Sequence, residues 1–142
     1  MQIRKTKIID EIIIGEEASF TKTITEGDIS MFAAMTGDFN PLHMDEDYAK
    51  NTRFGTRIAH GGVAQGLVNT VLGDLLGPGV NGVEFKNKYL APVYPGDTIT
   101  CTGIIVENDM DLNMVTIKFT LLNKAKNLAV IECMAKAKPP TK

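Results

Sequence analysis

Midway along the chain the spacing of apolar residues changes from a helical period to a strand period, and this change limits the possible folds more than any other feature. Ala64, Leu67, Val68, Val71, Leu72, Leu75 and Leu76 recur at the i, i+3, i+4, i+7 spacing of one helix face. Gly61 and Gly62 introduce that run and Gly77-Pro78-Gly79 closes it. Asp74 is its one charge, so the helix is expected to be covered on most sides, with Asp74 at the surface. From residue 83 the period is two, and residues 83–90, 97–107, 112–123 and 128–137 read as strands. Pro92, Pro95 and Gly96 separate the first two; Asn108-Asp109 and residues 124–127 supply the later turns. Consecutive strands joined by short turns form an antiparallel meander. An apolar helix followed by a meander implies an α+β layout in which a sheet curls around the helix. Such a sheet has edge strands, and joining two of them makes a dimer.

Before the helix, residues 18–25 alternate around Phe20, Thr23 and Ile24 and read as a short strand. Thr25 is placed to cap a helix whose first turn carries Glu26 and Asp28, acids suited to the positive helix end. Ile29, Phe32 and Ala33 fall at helical spacing and Gly37 stops the run. Residues 38–43 are expected to be non-helical, because Pro41 forces Asn40 into extended geometry. A further short helix should start at Asp45 and pass through Tyr48 and Ala49. The 142 residues contain no repeat or linker, so they are expected to form one domain, 1–142, with a frayed tail from Lys138.

The composition, 44% hydrophobic and 23% charged, is that of a globular chain. A net charge of -2 with no basic block argues against nucleic acid as a partner, while leaving room for a local basic pocket. No stretch reaches the roughly 18 apolar residues of a membrane helix, and no cleavable leader is visible. Cys101 and Cys133 sit in alternating apolar runs, as buried free thiols of a cytoplasmic protein do. The cysteines have no metal-like spacing and two histidines are too few for most metal clusters, so no metal is expected.

The segment that carries chemistry is residues 32–43. It sets a carboxylate, Asp38, and an imidazole, His43, five residues apart on a backbone stiffened by proline. Such a pair can hold one water, one group removing a proton while the other handles a proton at a neighbouring carbon. Asn40 can orient either partner. The second piece is Ile58-Ala59-His60-Gly61-Gly62 at the start of the long helix. Helix starts present unpaired N–H groups, and glycine lets a ligand come close to them. A thioester carbonyl there would be polarised. Adding water across a conjugated thioester needs both tools, an acid/base pair at the double bond and an oxyanion site at the carbonyl.

Gly37-Asp38-Phe39-Asn40-Pro41-Leu42-His43, with Phe32 before it and Ala49 after it, resembles the signature of the MaoC-like, (R)-specific enoyl-CoA hydratases. Phe54-Gly55, Ile58-Ala59-His60-Gly61 and Pro92-Val93-Tyr94-Pro95-Gly96-Asp97 resemble later parts of the family's run, so the likeness covers nearly the whole chain in order. Met35 departs from the pattern, standing where the family usually has a smaller aliphatic residue; altered packing behind the loop is expected, not altered chemistry. The resemblance implies a hot-dog fold, a curved antiparallel sheet wrapped around a long central helix, in a homodimer with sites near the interface. It implies Asp38 and His43 as the catalytic dyad, Asn40 as their support, and the Gly61 N–H as the oxyanion donor. It implies an (R)-3-hydroxyacyl-CoA formed by syn addition of water, with no metal or redox cofactor. The coenzyme A, or an acyl carrier protein, belongs to the substrate.

Two other functions suit the same fold. A hot-dog thioesterase would attack the carbonyl, but usually places an acid on or beside the central helix, where residues 61–67 have none. A non-catalytic acyl-CoA-binding protein would be expected to lack the dyad. His60 is expected to be structural, bonding the loop and holding the helix start. Gly61 and Gly62 also suit close packing. Lys86, Lys88, Arg53 and Arg57 could meet coenzyme A phosphates or simply face solvent. Met31, Met35 and Met44 are expected to pack rather than serve redox chemistry, and Val63, Leu67 and Tyr89 either line an acyl pocket or, as the favoured reading, pack in the core.

Overall fold

The structure, a computed structural model, describes residues 5–141. A 3-10 turn at Ile9–Glu11 leads into strand β1 (Glu17–Thr23) and helix α1 (Glu26–Thr36). Two single-turn helices follow, α2 (Pro41–Met44) and α3 (Glu46–Ala49). The central helix comes next as α4 (Gly61–Gln65) and α5 (Leu67–Leu76), and then strands β2 (Asn81–Tyr89), β3 (Thr98–Asp109), β4 (Met114–Asn123) and β5 (Leu128–Lys138). The five strands make one antiparallel sheet in the order β1-β3-β4-β5-β2. This is the α+β architecture the apolar periods imply.

Helix α5 is the core's centre because its apolar stripe is wide. Leu67, Val68, Val71, Leu72, Leu75 and Leu76 are all buried. They meet the inward rows of the sheet, including Ile99, Cys101, Ile105, Ile117, Phe119, Leu121 and Ala135. The approach is close at Gly103, where an added Cβ would lie 2.6 Å from the Phe119 ring and 3.0 Å from Val71. Asp74 is half-buried rather than exposed, because the helix is covered further round than its single charge suggests. The expected single helix is tightened at Gly66, whose φ of -57° and ψ of -24° keep the chain running in one direction. The Asn69 N–H bonds back only three residues there, to the Gly66 carbonyl. Burial pushes the Cys101 thiol up to about 12 and the Cys133 thiol up to about 11, which leaves both inert.

Two expected boundaries move. The β3–β4 turn falls at residues 110–113, not at Asn108-Asp109. The Asn108 side chain donates to the carbonyls of Ile9 and Ile12 at 3.2 and 3.3 Å, which holds it in the strand against the N-terminal segment. Asn113 takes the turn's left-handed position, φ 49°, which asparagine tolerates. The stretch expected to be non-helical contains α2: Asn40 is extended, as Pro41 requires, but its side chain then caps a helical turn that opens on proline.

Candidate active site

Helix α1 aims the first part of the site. Thr25 and Asp28 form a reciprocal cap, the Asp28 N–H donating to Thr25 Oγ1 at 3.1 Å and the Thr25 N–H to Asp28 Oδ2 at 2.8 Å. Lys22 donates to the same carboxylate at 2.8 Å, and this contact leads the lowering of the Asp28 carboxyl below its ordinary value. The helix stops at Gly37, whose φ of 77° suits glycine. Thr36 Oγ1 donates to the Phe32 carbonyl at 2.7 Å and accepts the Asp38 N–H at 3.3 Å, carrying the chain from the helix end into Asp38.

His43 is set by α2. Asn40 Oδ1 accepts the Leu42 N–H at 3.0 Å, which supports the backbone turn that presents His43, and the Asn40 N–H donates to Asp38 Oδ1 at 3.3 Å. The His43 Nδ1 lies 2.7 Å from the Ile58 carbonyl oxygen. A carbonyl only accepts, so Nδ1 carries the hydrogen and Nε2 of the neutral ring offers its lone pair. Nothing in a side-chain pattern signals Ile58, since the group used is backbone.

His60 joins the two parts of the site. It is 3% exposed, and its Nε2–H donates to the Asp38 carbonyl oxygen at 2.8 Å. Its ring lies 4.0 Å from that of His43 and 4.8 Å from that of Phe32, centre to centre. Its Nδ1 is buried without a partner. The structure therefore places His60 where the sequence expects it, between the loop and the helix start. Polar atoms of Asp38, His43 and His60 fall within 4.8 Å of one another. These are also metal-ligating side chains, a convergence that the separate positions of the two histidines do not reveal.

Residue Gly61 opens α4 directly after His60, and no side chain caps this helix start. A Cβ on Gly61 would lie 2.5 Å from the Tyr89 ring, and one on Gly62 would lie 2.5 Å from the Phe32 ring. The glycines thus make room for two aromatic side chains and leave the first N–H groups of the helix without intrahelical partners. His43, Gly61 and Gly62 line a cleft of about 710 Å³ together with Arg53, Phe54, Tyr89 and Tyr94. Tyr89 is 58% exposed and belongs to this cleft, not to the core.

The other candidates separate clearly. Arg57 pairs with Glu26 at 2.8 Å and Glu46 at 3.1 Å, and Lys86 lies 3.4 Å from Glu84. Leu67 and Met44 pack with the core. Met31 and Met35 do not pack as expected: they are 70% and 76% exposed, one turn apart on the outer side of α1. Met35 therefore does not fill space behind the loop. It lines a second, shallower cleft with Met31, Phe32 and Val63.

The description of the MaoC-like domain matches residues 11–127. The chain belongs to the MaoC-like family. An (R)-specific enoyl-CoA hydratase of Rhodospirillum rubrum is 44% identical over 112 residues, 78% of each chain. One of Aeromonas caviae is 29% identical over 119 residues, 82% of this chain and 88% of its own. The unliganded structure of an R-hydratase from Pseudomonas aeruginosa superposes with a TM-score of 0.84 at 30% identity, covering 95% of this chain and 86% of that one. The (R)-hydratase structure from Aeromonas caviae gives 0.85 at 27%, covering 92% and 98%. The hot-dog fold is therefore shared with hydratases, and membership of this family makes the protein an enzyme of the hydro-lyase class. Among the described residues no helix is long and apolar enough to cross a membrane.

Proposed function

We propose that this MaoC-like hydro-lyase adds water to a trans-2-enoyl-CoA to give an (R)-3-hydroxyacyl-CoA, and dehydrates the product by the reverse path. The observation that carries the proposal is the His43 Nδ1–Ile58 carbonyl bond, which leaves Nε2 free in the cluster with the Asp38 carboxylate. The R. rubrum and A. caviae relatives, both (R)-specific enoyl-CoA hydratases, support the reaction and its handedness.

In the forward direction the dyad binds one water. Its oxygen bonds to C3 of the enoyl group as one proton passes to the dyad, and a proton from the dyad passes to C2. Negative charge gathers on the thioester oxygen meanwhile. The Gly61 N–H, uncapped at the head of α4, is the donor placed to receive it. Asp38 and His43 are the catalytic residues, and Asn40 and His60 hold the loop that carries them. Residues 61–67, the first turns of the central helix, hold no carboxylate, which favours hydration over the carbonyl attack of a thioesterase. The working unit is a homodimer joined along a free sheet edge, for which β2, with Val83 and Tyr89 exposed, is available.

The test follows crotonyl-CoA by loss of its conjugated absorbance and then determines the configuration of the hydroxyacyl product. Rapid loss and an (R) product are expected. No change across several chain lengths, or an (S) product, would remove the proposal.

A further inference from the structure

The cleft reaches well beyond His43, the dyad residue in its lining. Its volume of about 710 Å³ suits a drug-sized ligand rather than a four-carbon acyl group alone. Its lining holds one lysine or arginine, Arg53, and no aspartate or glutamate. That asymmetry favours an anionic ligand part.

The setting of Arg53 sharpens this. Its guanidinium lies over the Phe54 ring, 4.7 Å from the ring centre. Stacking occupies the flat face of a guanidinium and leaves its in-plane N–H donors pointing outward. Phe54 is a fixed platform, because its carbonyl accepts the Tyr94 Oη–H at 3.2 Å. Among the described residues no carboxylate pairs with Arg53. Its neighbours in chain and space are different. Arg57 is held by two glutamates, and Lys126, stacked on Tyr94 at 4.8 Å, is held by Asp97 at 2.9 Å. Arg53 is thus the cation of the cleft that is both oriented and unpaired.

We propose that Arg53, stacked on Phe54 at the cleft, binds a phosphate of the thioester's carrier arm and makes the enzyme prefer phosphorylated over unphosphorylated thioesters. A planar fork with several free N–H donors suits a phosphate. This rests on reading the cleft as a thioester site. The phosphate is either the one a phosphopantetheine arm carries or one found only in full coenzyme A.

The experiment compares crotonyl thioesters of coenzyme A, 4′-phosphopantetheine and pantetheine with wild type, Arg53→Ala and Arg53→Lys. Lys118→Ala, an exposed cation on β4, controls for net charge. The measured quantity is the ratio of kcat/KM for each phosphorylated substrate to that for crotonyl-pantetheine. Arg53→Ala is expected to lower that ratio by about tenfold or more, Arg53→Lys by less, and Lys118→Ala to leave it alone. A loss already seen with phosphopantetheine assigns the single phosphate; a loss confined to coenzyme A assigns its distal phosphates. An unchanged ratio in Arg53→Ala, or an equal fall in Lys118→Ala, overturns the proposal. Calorimetric binding of free coenzyme A against pantetheine gives the same comparison without turnover. If wild type hydrates none of the thioesters, the hydratase reading fails while calorimetry still decides the role of Arg53.

Discussion

Helices α1 and α4 begin in opposite ways. At the head of α1, Thr25 and Asp28 satisfy each other's backbone N–H groups and Lys22 completes the cluster. At the head of α4, the residue in the cap position is His60, and its side chain bonds the Asp38 carbonyl instead of its own helix. The first helix start is closed by its own side chains and contributes stability. The second is left open beside the cleft, and the side chain that could close it holds the loop carrying Asp38. On the proposed function, the difference separates residues that hold the fold from residues that serve the reaction, although both sets sit at helix starts.

Substitution can break this separation, and the largest effect belongs to the open side. Asp38→Asn and His43→Gln should each lower kcat by roughly a hundred- to ten-thousandfold, with little change in melting temperature. Steady-state kinetics and calorimetry on the same preparations check this. Equal losses of activity and stability would mean that the dyad is structural. His60→Ala comes next and should lower both quantities, because it removes a buried ring together with the donor to the Asp38 carbonyl. The stability cost is expected at about 1–3 kcal/mol by denaturant titration, and activity should fall with it.

On the closed side, Thr25→Ala should cost about 1 kcal/mol of stability and spare kcat. The Asp28 carboxyl, held down first by Lys22 and then by the Thr25 N–H, lies below its ordinary 3.8 when folded. Its contribution is therefore fully present above pH 3.8 and is lost as pH falls through the folded value. Unfolding curves of wild type and Asp28→Asn should accordingly converge in acid. The smallest effect contrasts two glycines in first helical turns. A Cβ at Gly27 meets only Thr25 Oγ1 at an ordinary 3.6 Å, so Gly27→Ala should stabilise by about 0.4–1 kcal/mol. The same change at Gly61 must displace the Tyr89 ring and should lower activity without stabilising the protein.

The same contrast explains what the sequence made legible. The cap at Thr25, the stop at Gly37 and the apolar stripe of α5 act through local spacing, and each appears in the structure. The nearness of Asp38 and His43 was also legible, because they share one short segment, and their polar atoms lie within 4.8 Å of one another. The helical turn at α2 was not, since the rule that keeps Asn40 extended also makes it a good cap for the turn after it. The turn at residues 110–113 shifted because Asn108 is held by Ile9 and Ile12, contacts between distant parts of the chain. Met31 and Met35 were expected to be covered, and their exposure follows from the placement of α1 on the rest of the fold, which no local pattern records. The Ile58 carbonyl that sets the His43 tautomer is backbone and carries no residue signature.

The central claim, that water is added to the carbon chain at this site and not to the thioester carbonyl, is tested most directly by turnover of crotonyl-CoA in heavy-oxygen water with mass analysis of the product. The account predicts one heavy oxygen on C3 of an intact hydroxyacyl thioester, with no free thiol, and negligible incorporation by His43→Gln. Heavy oxygen in a free carboxylate with release of coenzyme A would contradict it.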